Sequence, residues 1–212
     1  MRRLIRAARD AIADLWLRLL IAMRGKAYVL ARLESYARCL GARRVLMILG
    51  AAVEPDAHIE PGLCIQNAPA GDCGRLRIGA KVYVGPEVLI DLACPVTLEE
   101  QAVLSARVCI VTHMDCGERL QAPRLPRREG PVRVGRGAFV GASAVILHGV
   151  RVGECSVVGA MSLVREDVPP HSLCVGIPAR TVRRYDDDLS RRDAMPSPNE
   201  HDLNAGPKTG NA

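Results

Sequence analysis

The sequence contains very few aromatic side chains. Of its 212 residues only 3% are aromatic, with one Trp and one Phe, although 49% are hydrophobic. Cores built from mixed layers usually draw on large rings, whereas a coil lined by Val, Ile, Leu and Ala needs few of them. The length is sufficient for one domain with a sizeable core and appended segments.

Basic clusters of the kind that bind nucleic acids are also missing. The net charge of +6 comes mostly from arginines at both ends of the chain, and no basic stretch is interleaved with aromatic residues. Stacking rings beside a basic stripe are the usual footprint of nucleic-acid binding. We therefore expect no nucleic-acid partner.

Paired cysteine motifs are absent as well. None of the eight cysteines forms a CxxC pair, and their spacing is irregular. Structural zinc sites use closely spaced ligands, and disulfide scaffolds belong to oxidising compartments. We therefore expect free thiols, no bound metal and a cytoplasmic location.

What recurs throughout the sequence is an aliphatic residue at every sixth position. Neither the alternation of a strand nor the spacing of a helix gives a period of six, whereas a hexapeptide repeat does. An ordinary sandwich rich in Val and Gly would not produce six consecutive matches. The repeat falls at Val134, Val140, Ile146, Val152, Val158 and Val164, with upstream runs at Ile78, Val84, Ile90, Val96, Ala102, Val108 and at Val53, Ile59, Ile65.

The repeat predicts an all-β solenoid, a parallel β-helix in which three hexads close one triangular coil. Slips in phase between Ile65 and Ile78 and between Val108 and Val134 predict extruded loops near 67–75 and 114–131. We expect an N-terminal helical arm at 1–44 and the β-helix at 45–185. The charged, Pro- and Gly-rich segment 186–212 is expected to be a disordered tail.

Residues 1–24 have the pattern of an amphipathic helix. The densest apolar part contains Arg18 and is shorter than the roughly 20 residues needed to span a bilayer, and it makes a poor signal peptide. Either this helix packs on the solenoid or on a neighbouring subunit, or it lies on an anionic membrane surface on the inner face. A second helical segment is predicted at Lys26–Leu40. The apolar positions are Leu4, Ile5, Ala8, Ile12, Leu15, Trp16, Leu19, Leu20 and Met23.

Among the five histidines, His113 has the most informative position. It lies in the stretch VTHMD, where a regular coil runs into the longer predicted loop. Rigid backbone would hold this side chain beside a loop that covers it, although a surface histidine without a role fits the same pattern. His148, in the stretch ILHGV, is interpreted as a surface turn residue.

The hexapeptide run, the Thr112-His113 step before a looped insertion, and the ending GAMSLVREDVPPHSLCVGIPARTVR together resemble the left-handed parallel β-helix acetyltransferases. The resemblance is closest to the galactoside, maltose and colanic-acid O-acetyltransferase group and covers roughly residues 45–184. It implies left-handed coils, an exception to the usual right-handed crossover. It also implies a homotrimer with acetyl-CoA bound as co-substrate between two subunits, without a metal.

The same resemblance assigns roles to individual residues. It implies that His113 is the general base on an acceptor hydroxyl and that Asp91 binds the acceptor or steadies His113. The amide of Ala142 would meet the developing oxyanion. Further cofactor-binding positions are Ala160, Arg165, Arg180 and Arg183, the arginines suiting CoA phosphates.

The sequence departs from the family pattern at two places. The family's Thr-Lys before the Asp-Val-Pro-Pro step is Arg165-Glu166 here, so Arg165 rather than Glu166 is expected to contact CoA. An Asn used by sugar-specific members has no counterpart, and Tyr83 lies at about that position as a candidate acceptor contact. The acceptor is therefore expected to differ from a simple galactoside.

The resemblance thus implies an acetyl-CoA-dependent O-acetyltransferase acting on a sugar or glycan intermediate. N-acetylation of an amino sugar and a non-catalytic β-helix scaffold remain alternatives. A γ-type carbonic anhydrase shares the fold but needs three histidines around zinc, two of them close in sequence. Since the next histidine after His113 is His148, that alternative is disfavoured.

Overall fold

The computed structural model describes residues 2–185, with side chains from residue 11 onward, so the tail predicted at 186–212 lies outside the described residues. The chain begins with helices α1 (Arg2–Arg24), α2 (Lys26–Leu30), α3 (Leu33–Leu40) and α4 (Ala42–Ile48). The helical segment predicted at Lys26–Leu40 is therefore two helices. None of the helices described is long and apolar enough to cross a membrane.

The predicted boundary between residues 44 and 45 falls inside α4. Val45 and Leu46 were expected to lead into the coils, but they are the fully buried face of this helix. A short apolar run fits a buried strand and a buried helix face equally well, which explains the misplaced boundary. The first strand begins at Ala52.

Nineteen short strands follow in the described part of the chain. Most contain two or three residues, as expected for hexads that turn at each corner. They are β1 (Ala52–Val53), β2 (His58–Ile59), β3 (Cys64–Gln66), β4 (Leu76–Ile78), β5 (Tyr83–Val84), β6 (Leu89–Asp91), β7 (Val96–Leu98), β8 (Val103–Leu104), β9 (Cys109–Ile110), β10 (His113–Met114), β11 (Arg128–Glu129), β12 (Val132–Val134), β13 (Phe139–Val140), β14 (Val145–Ile146), β15 (Arg151–Val152), β16 (Val157–Val158), β17 (Leu163–Val164), β18 (Ser172–Gly176) and β19 (Ala179–Arg184).

The strands form three parallel sheets, one on each side of a triangular prism. Sheet A has the order β1-β4-β7-β12-β15, sheet B the order β2-β5-β8-β13-β16-β18, and sheet C the order β3-β6-β9-β14-β17. Apart from the separate hairpin of β10 and β11 and the step from β17 to β18, each successive strand up to β17 moves to the next side, so the chain winds through A, B and C once per coil. The antiparallel strand β19 closes the edge of sheet B.

Two positions of each hexad point into the prism. The predicted repeat treated residues from both positions as one series. Ile90 stacks on Ile110 in sheet C, whereas the residue stacked on Ile78 in sheet A is Leu98. Val96, Ala102 and Val108 are also fully buried, but they occupy the other inward position, two residues earlier. The phase therefore slips between Ile90 and Leu98, a slip that the periodicity had wrongly assigned to the second loop.

All three interruptions of the coil leave the prism at the same corner, where sheet C passes to sheet A. They are residues 67–75 after β3, 92–95 after β6, and 111–131 after β9. At the next coil, β14 reaches β15 without an insertion. Because coils stack in register, three loops from consecutive coils lie above one another.

The N-terminal helices pack on the first coils and on the first loop. Leu17, Val29 and Leu49 are fully buried with the solenoid core. Lys26 of α2 forms an ion pair with Asp72. At Gly71 a Cβ would lie 2.2 Å from the backbone nitrogen of Ala27, so the loop and α2 touch through their backbones.

Candidate active site

An aspartate and a histidine are brought together at the corner from which the three loops emerge. His113 Nδ1 lies 2.6 Å from Asp91 Oδ2. Because a carboxylate can only accept, Nδ1 carries the proton and Nε2 keeps its lone pair. The Asp91 side chain is 4% exposed and that of His113 is 22% exposed, so the carboxylate is buried behind a ring that reaches solvent.

Asp91 accepts hydrogen bonds on both carboxylate oxygens. The second oxygen, Oδ1, accepts from Asn67 Nδ2 at 2.9 Å and from the Ala93 amide at 3.3 Å. Oδ2 accepts from the Thr112 amide at 2.8 Å and from Thr112 Oγ1 at 2.7 Å, besides His113. Burial raises the pKa of Asp91, but the hydrogen bonds from His113, Thr112 and Asn67 outweigh it and lower the pKa to about 2. The group is therefore an anion at neutral pH.

Each partner comes from one of the three stacked loops. Asp91 ends β6 and precedes the inserted residues 92–95, while Asn67 follows β3 with a left-handed backbone (φ 53°) that Asn tolerates better than most residues. Thr112, fully buried, precedes His113. Asn67 and Thr112 were not among the predicted site residues, although the phase slip before residue 75 did mark the loop that carries Asn67.

The longest loop is pinned immediately beyond His113. Strand β10, which contains His113, pairs antiparallel with β11. Asp115 accepts from the Gly117 amide at 2.6 Å and from Arg127 at 2.9 Å, and Arg127 also contacts Glu129 at 2.8 Å. These contacts hold the base of the loop while its tip, including Leu120 at 95% exposure, extends into solvent.

Tyr83, the other predicted acceptor contact, lies on a different side of the prism. It belongs to β5 in sheet B, where its ring stacks on His58 at 5.6 Å between centroids. Its hydroxyl donates to Glu60 at 3.4 Å. Within one chain Tyr83 is therefore not adjacent to the pair formed by His113 and Asp91.

The predicted cofactor positions Ala142 and Ala160 stack at the corner between sheets B and C. The Ala142 carbonyl accepts from the Met161 amide at 2.9 Å, and among residues 2–185 its own amide has no backbone acceptor. At Gly141 a Cβ would lie 2.5 Å from the Ala160 nitrogen, so only glycine allows this close approach. The corner thus brings the two backbone segments close together, with the Met161 side chain exposed beside them.

Of the predicted arginines, two are joined by the residue that departs from the family pattern. Glu166 lies 3.3 Å from Arg165 and 3.7 Å from Arg180. Arg183 lies over the Tyr185 ring at 5.4 Å on β19. His148 lies half-buried in the turn after β14, where a turn residue was predicted. No group of three or more His, Cys, Asp or Glu side chains able to hold a metal occurs in the described part of the chain.

The three-sided coils, the six-residue period and a carboxylate-held histidine at a loop corner define a hexapeptide-repeat β-helix protein. A family model described as "Bacterial transferase hexapeptide (six repeats)" matches residues 131–166. Galactoside O-acetyltransferase of Escherichia coli is 39% identical over 143 residues, covering 65% of each chain. The chain spans about a third (31%) of the length of the curated relatives it matches first, putative acetyltransferases of Staphylococcus aureus such as that of strain COL, at 47% identity over 62 residues.

Solved structures share the fold. A galactoside acetyltransferase in complex with coenzyme A aligns with a TM-score of 0.61 at 20% identity, covering 76% of this chain and 80% of that one. An N-acyltransferase from Bacillus cereus in complex with dTDP and coenzyme A aligns with a TM-score of 0.53 at 20% identity, covering 66% and 81%. The left-handed parallel β-helix is thereby confirmed. The chain is therefore similar to hexapeptide-repeat acetyltransferases in both sequence and fold.

Proposed function

We propose that the protein is an acetyl-CoA-dependent O-acetyltransferase that acts on a hydroxyl of a sugar or glycan intermediate. The observation that carries this proposal is the 2.6 Å contact between His113 Nδ1 and Asp91 Oδ2. It fixes the tautomer, leaves Nε2 free to accept a proton, and places an anion where it stabilises the imidazolium that then forms. A hydroxyl is a poor nucleophile at neutral pH and needs such a base.

The reaction requires no covalent enzyme intermediate. The acceptor hydroxyl gives its proton to His113 Nε2 as its oxygen bonds to the thioester carbonyl carbon. The carbon–sulfur bond then breaks, and the CoA thiolate takes the proton from the imidazolium. The acetyl group ends on the acceptor oxygen and free CoA is released, so none of the cysteines has to act as a nucleophile.

The amide of Ala142 is the proposed donor to the oxyanion, because among residues 2–185 it has no backbone acceptor of its own. Ala160, one coil further on, would face the pantetheine arm. Arg165, Arg180 and Arg183 are proposed to meet the phosphates of CoA, whose charge would compete with Glu166 for two of the guanidinium groups.

We also propose a homotrimer, which the positions of these groups support. His113 is at the corner between sheets C and A, whereas Ala142 is at the corner between B and C and Tyr83 is on sheet B, so one chain does not bring them together. A site at the contact between two subunits would. The outward residues support such packing, because sheets B and C present apolar columns and sheet A a largely basic one. These columns are Tyr83, Val103, Phe139 and Val157 on B, Leu89, Cys109, Val145 and Leu163 on C, and Arg77, Thr97, Arg133 and Arg151 on A.

N-acetylation of an amino sugar is the second candidate, since an N-acyltransferase is among the proteins with this fold. The same base would serve it, and a screen of alcohol and amine acceptors with acetyl-CoA, read by thiol release, separates the two. We further propose a cytoplasmic location, on the ground that the cysteines are free and irregularly spaced. A scaffold without activity would release no thiol with any acceptor.

The role of His113 is tested by replacing it with Ala. We expect turnover to fall by about 10² to 10⁴, the usual contribution of a general base, while folding and CoA affinity stay near normal. His148→Ala is the matched control, because His148 lies in a turn one coil away. Near-normal turnover of the His113 variant would show that the assignment is wrong.

A further inference from the structure

Helix α1 presents two apolar faces. One packs on the protein, whereas the other stays largely exposed, although its Trp16 makes an edge contact with Tyr36 at 5.8 Å between ring centroids. Leu17 is fully buried, Leu20 and Ile21 pack against the core, and Asp14 holds Arg44 at 3.0 Å. These contacts fix which side of the helix faces the solenoid. The apolar residues on the other side are therefore held outward rather than left free to turn inward.

The outward face is a continuous stripe at helical spacing. Its members recur every three or four residues, so they lie on one side of the helix. Large apolar side chains exposed together in this way are unusual on a protein surface and mark a contact site. They are Ile12, Leu15, Trp16, Leu19 and Met23, with exposures of 68%, 60%, 50%, 53% and 74%.

The charge of the helix indicates what covers this stripe. The sequence of α1 contains six arginines against two aspartates, and one of these aspartates is already paired with Arg44. Arg18 and Arg24 are exposed on the same helix. A strongly basic helix with an outward Trp and Leu face is the pattern of helices that lie in the plane of an anionic bilayer.

We propose that α1 docks the protein on an anionic lipid bilayer through the Ile12–Met23 stripe, with its arginines against the lipid phosphates. The inference goes beyond the acetyl-transfer reaction and does not depend on it. An acceptor carried by a lipid would be met at the same surface.

Trp16 makes the proposal directly measurable, because it is the only Trp of the chain. On titration of the full chain with phosphatidylglycerol-containing vesicles at low salt, we expect a blue shift of its emission and co-sedimentation. Phosphatidylcholine vesicles should give neither, and salt should weaken binding because it screens the arginines within about 10 Å at 0.1 M.

Leu15→Ser with Leu19→Ser should weaken vesicle binding by about tenfold or more, because exposed leucines lose the burial they gain in the bilayer. Leu120→Ser, which removes an even more exposed leucine in the loop between β10 and β11, is the matched control and should bind normally. Absence of any shift or sedimentation with anionic vesicles would overturn the proposal. So would a change of oligomeric state of the Leu15/Leu19 variant without lipid, since a second copy of the chain would then be what covers the stripe.

Discussion

Replacing Asp91 by Asn tests whether the negative charge of the buried carboxylate supports catalysis by His113. An amide offers one oxygen, which we expect to take the place of Oδ2 and keep the contacts to Thr112 and His113. The amide NH₂ then faces the Ala93 amide at the former Oδ1, whereas Asn67 can turn its side-chain amide and accept from the NH₂ through its oxygen. The variant therefore loses its negative charge and leaves the Ala93 amide without an acceptor.

The size of both effects can be estimated from these contacts. A hydrogen bond to a charged group contributes about 1.5–3 kcal/mol against about 0.5–1.5 for a neutral one. Losing the charge beside the imidazolium should therefore lower turnover by about 10- to 100-fold. One donor without an acceptor should lower the free energy of unfolding by about 1–3 kcal/mol, or Tm by roughly 2–12 °C for a chain of this size.

The assay is the turnover of Asp91→Asn, measured well below its own Tm. Asp115→Asn is the matched control, because Asp115 also accepts a backbone amide and an arginine but does not touch the His113 ring. In a background that carries His113→Ala, Asp91→Asn should change turnover little further. Turnover within twofold of normal in a folded Asp91→Asn protein would refute the reasoning.

Three further predictions follow. The pKa of Asp91 is lowered to about 2 in the folded protein. Its contribution to stability is therefore complete above the unfolded pKa of about 3.9 and is lost as pH falls towards 2. The free energy of unfolding measured against pH should show this loss, and Asp91→Asn should lack it. Gly71→Ala should lower the free energy of unfolding by about 3 kcal/mol or more, because the new Cβ meets Ala27. Gly149→Ala, at nearly the same φ but with open space around it, should cost only about 1–2 kcal/mol. Equal unfolding midpoints of the two variants in denaturant would contradict the contact. Sedimentation should give a trimer, and Phe139→Arg, which puts a charge on sheet B, should weaken it by at least tenfold in dissociation constant; a stable, active monomer would rule the trimer out.

The solenoid was predictable because its period survives in the sequence. Val134, Val140, Ile146, Val152, Val158 and Val164 are all buried, as a single inward series requires. The upstream run was predicted wrongly from Val96 onward. Each hexad has two inward positions, so a six-residue spacing can continue from one inward position to the other without a visible break. Only strand pairing, with Leu98 beside Ile78 and Val134, distinguishes the two.

The site was predictable only in part. His113 and Asp91 came from the family resemblance, and the structure joins them, although their separation of 22 positions carries no periodic signal. Asn67, a further 24 positions before Asp91, was missed because its role depends on three loops leaving one corner. That coincidence is a property of stacked coils and cannot be read from any one segment.

The shared exit corner of the three loops is a place where the chemistry of this protein could change while the coils stay the same. Lengthening a loop at that corner costs only closure entropy, about 0.6 kcal/mol for each doubling of length, while the prism that holds Asp91 and His113 is untouched. A new acceptor can therefore be accommodated by exchanging residues 118–126 at the tip of the longest loop, because Asp115, Gly117 and Arg127 hold its base. We expect libraries built there to keep the fold, and libraries built in the uninterrupted coils between residues 132 and 164 to lose it.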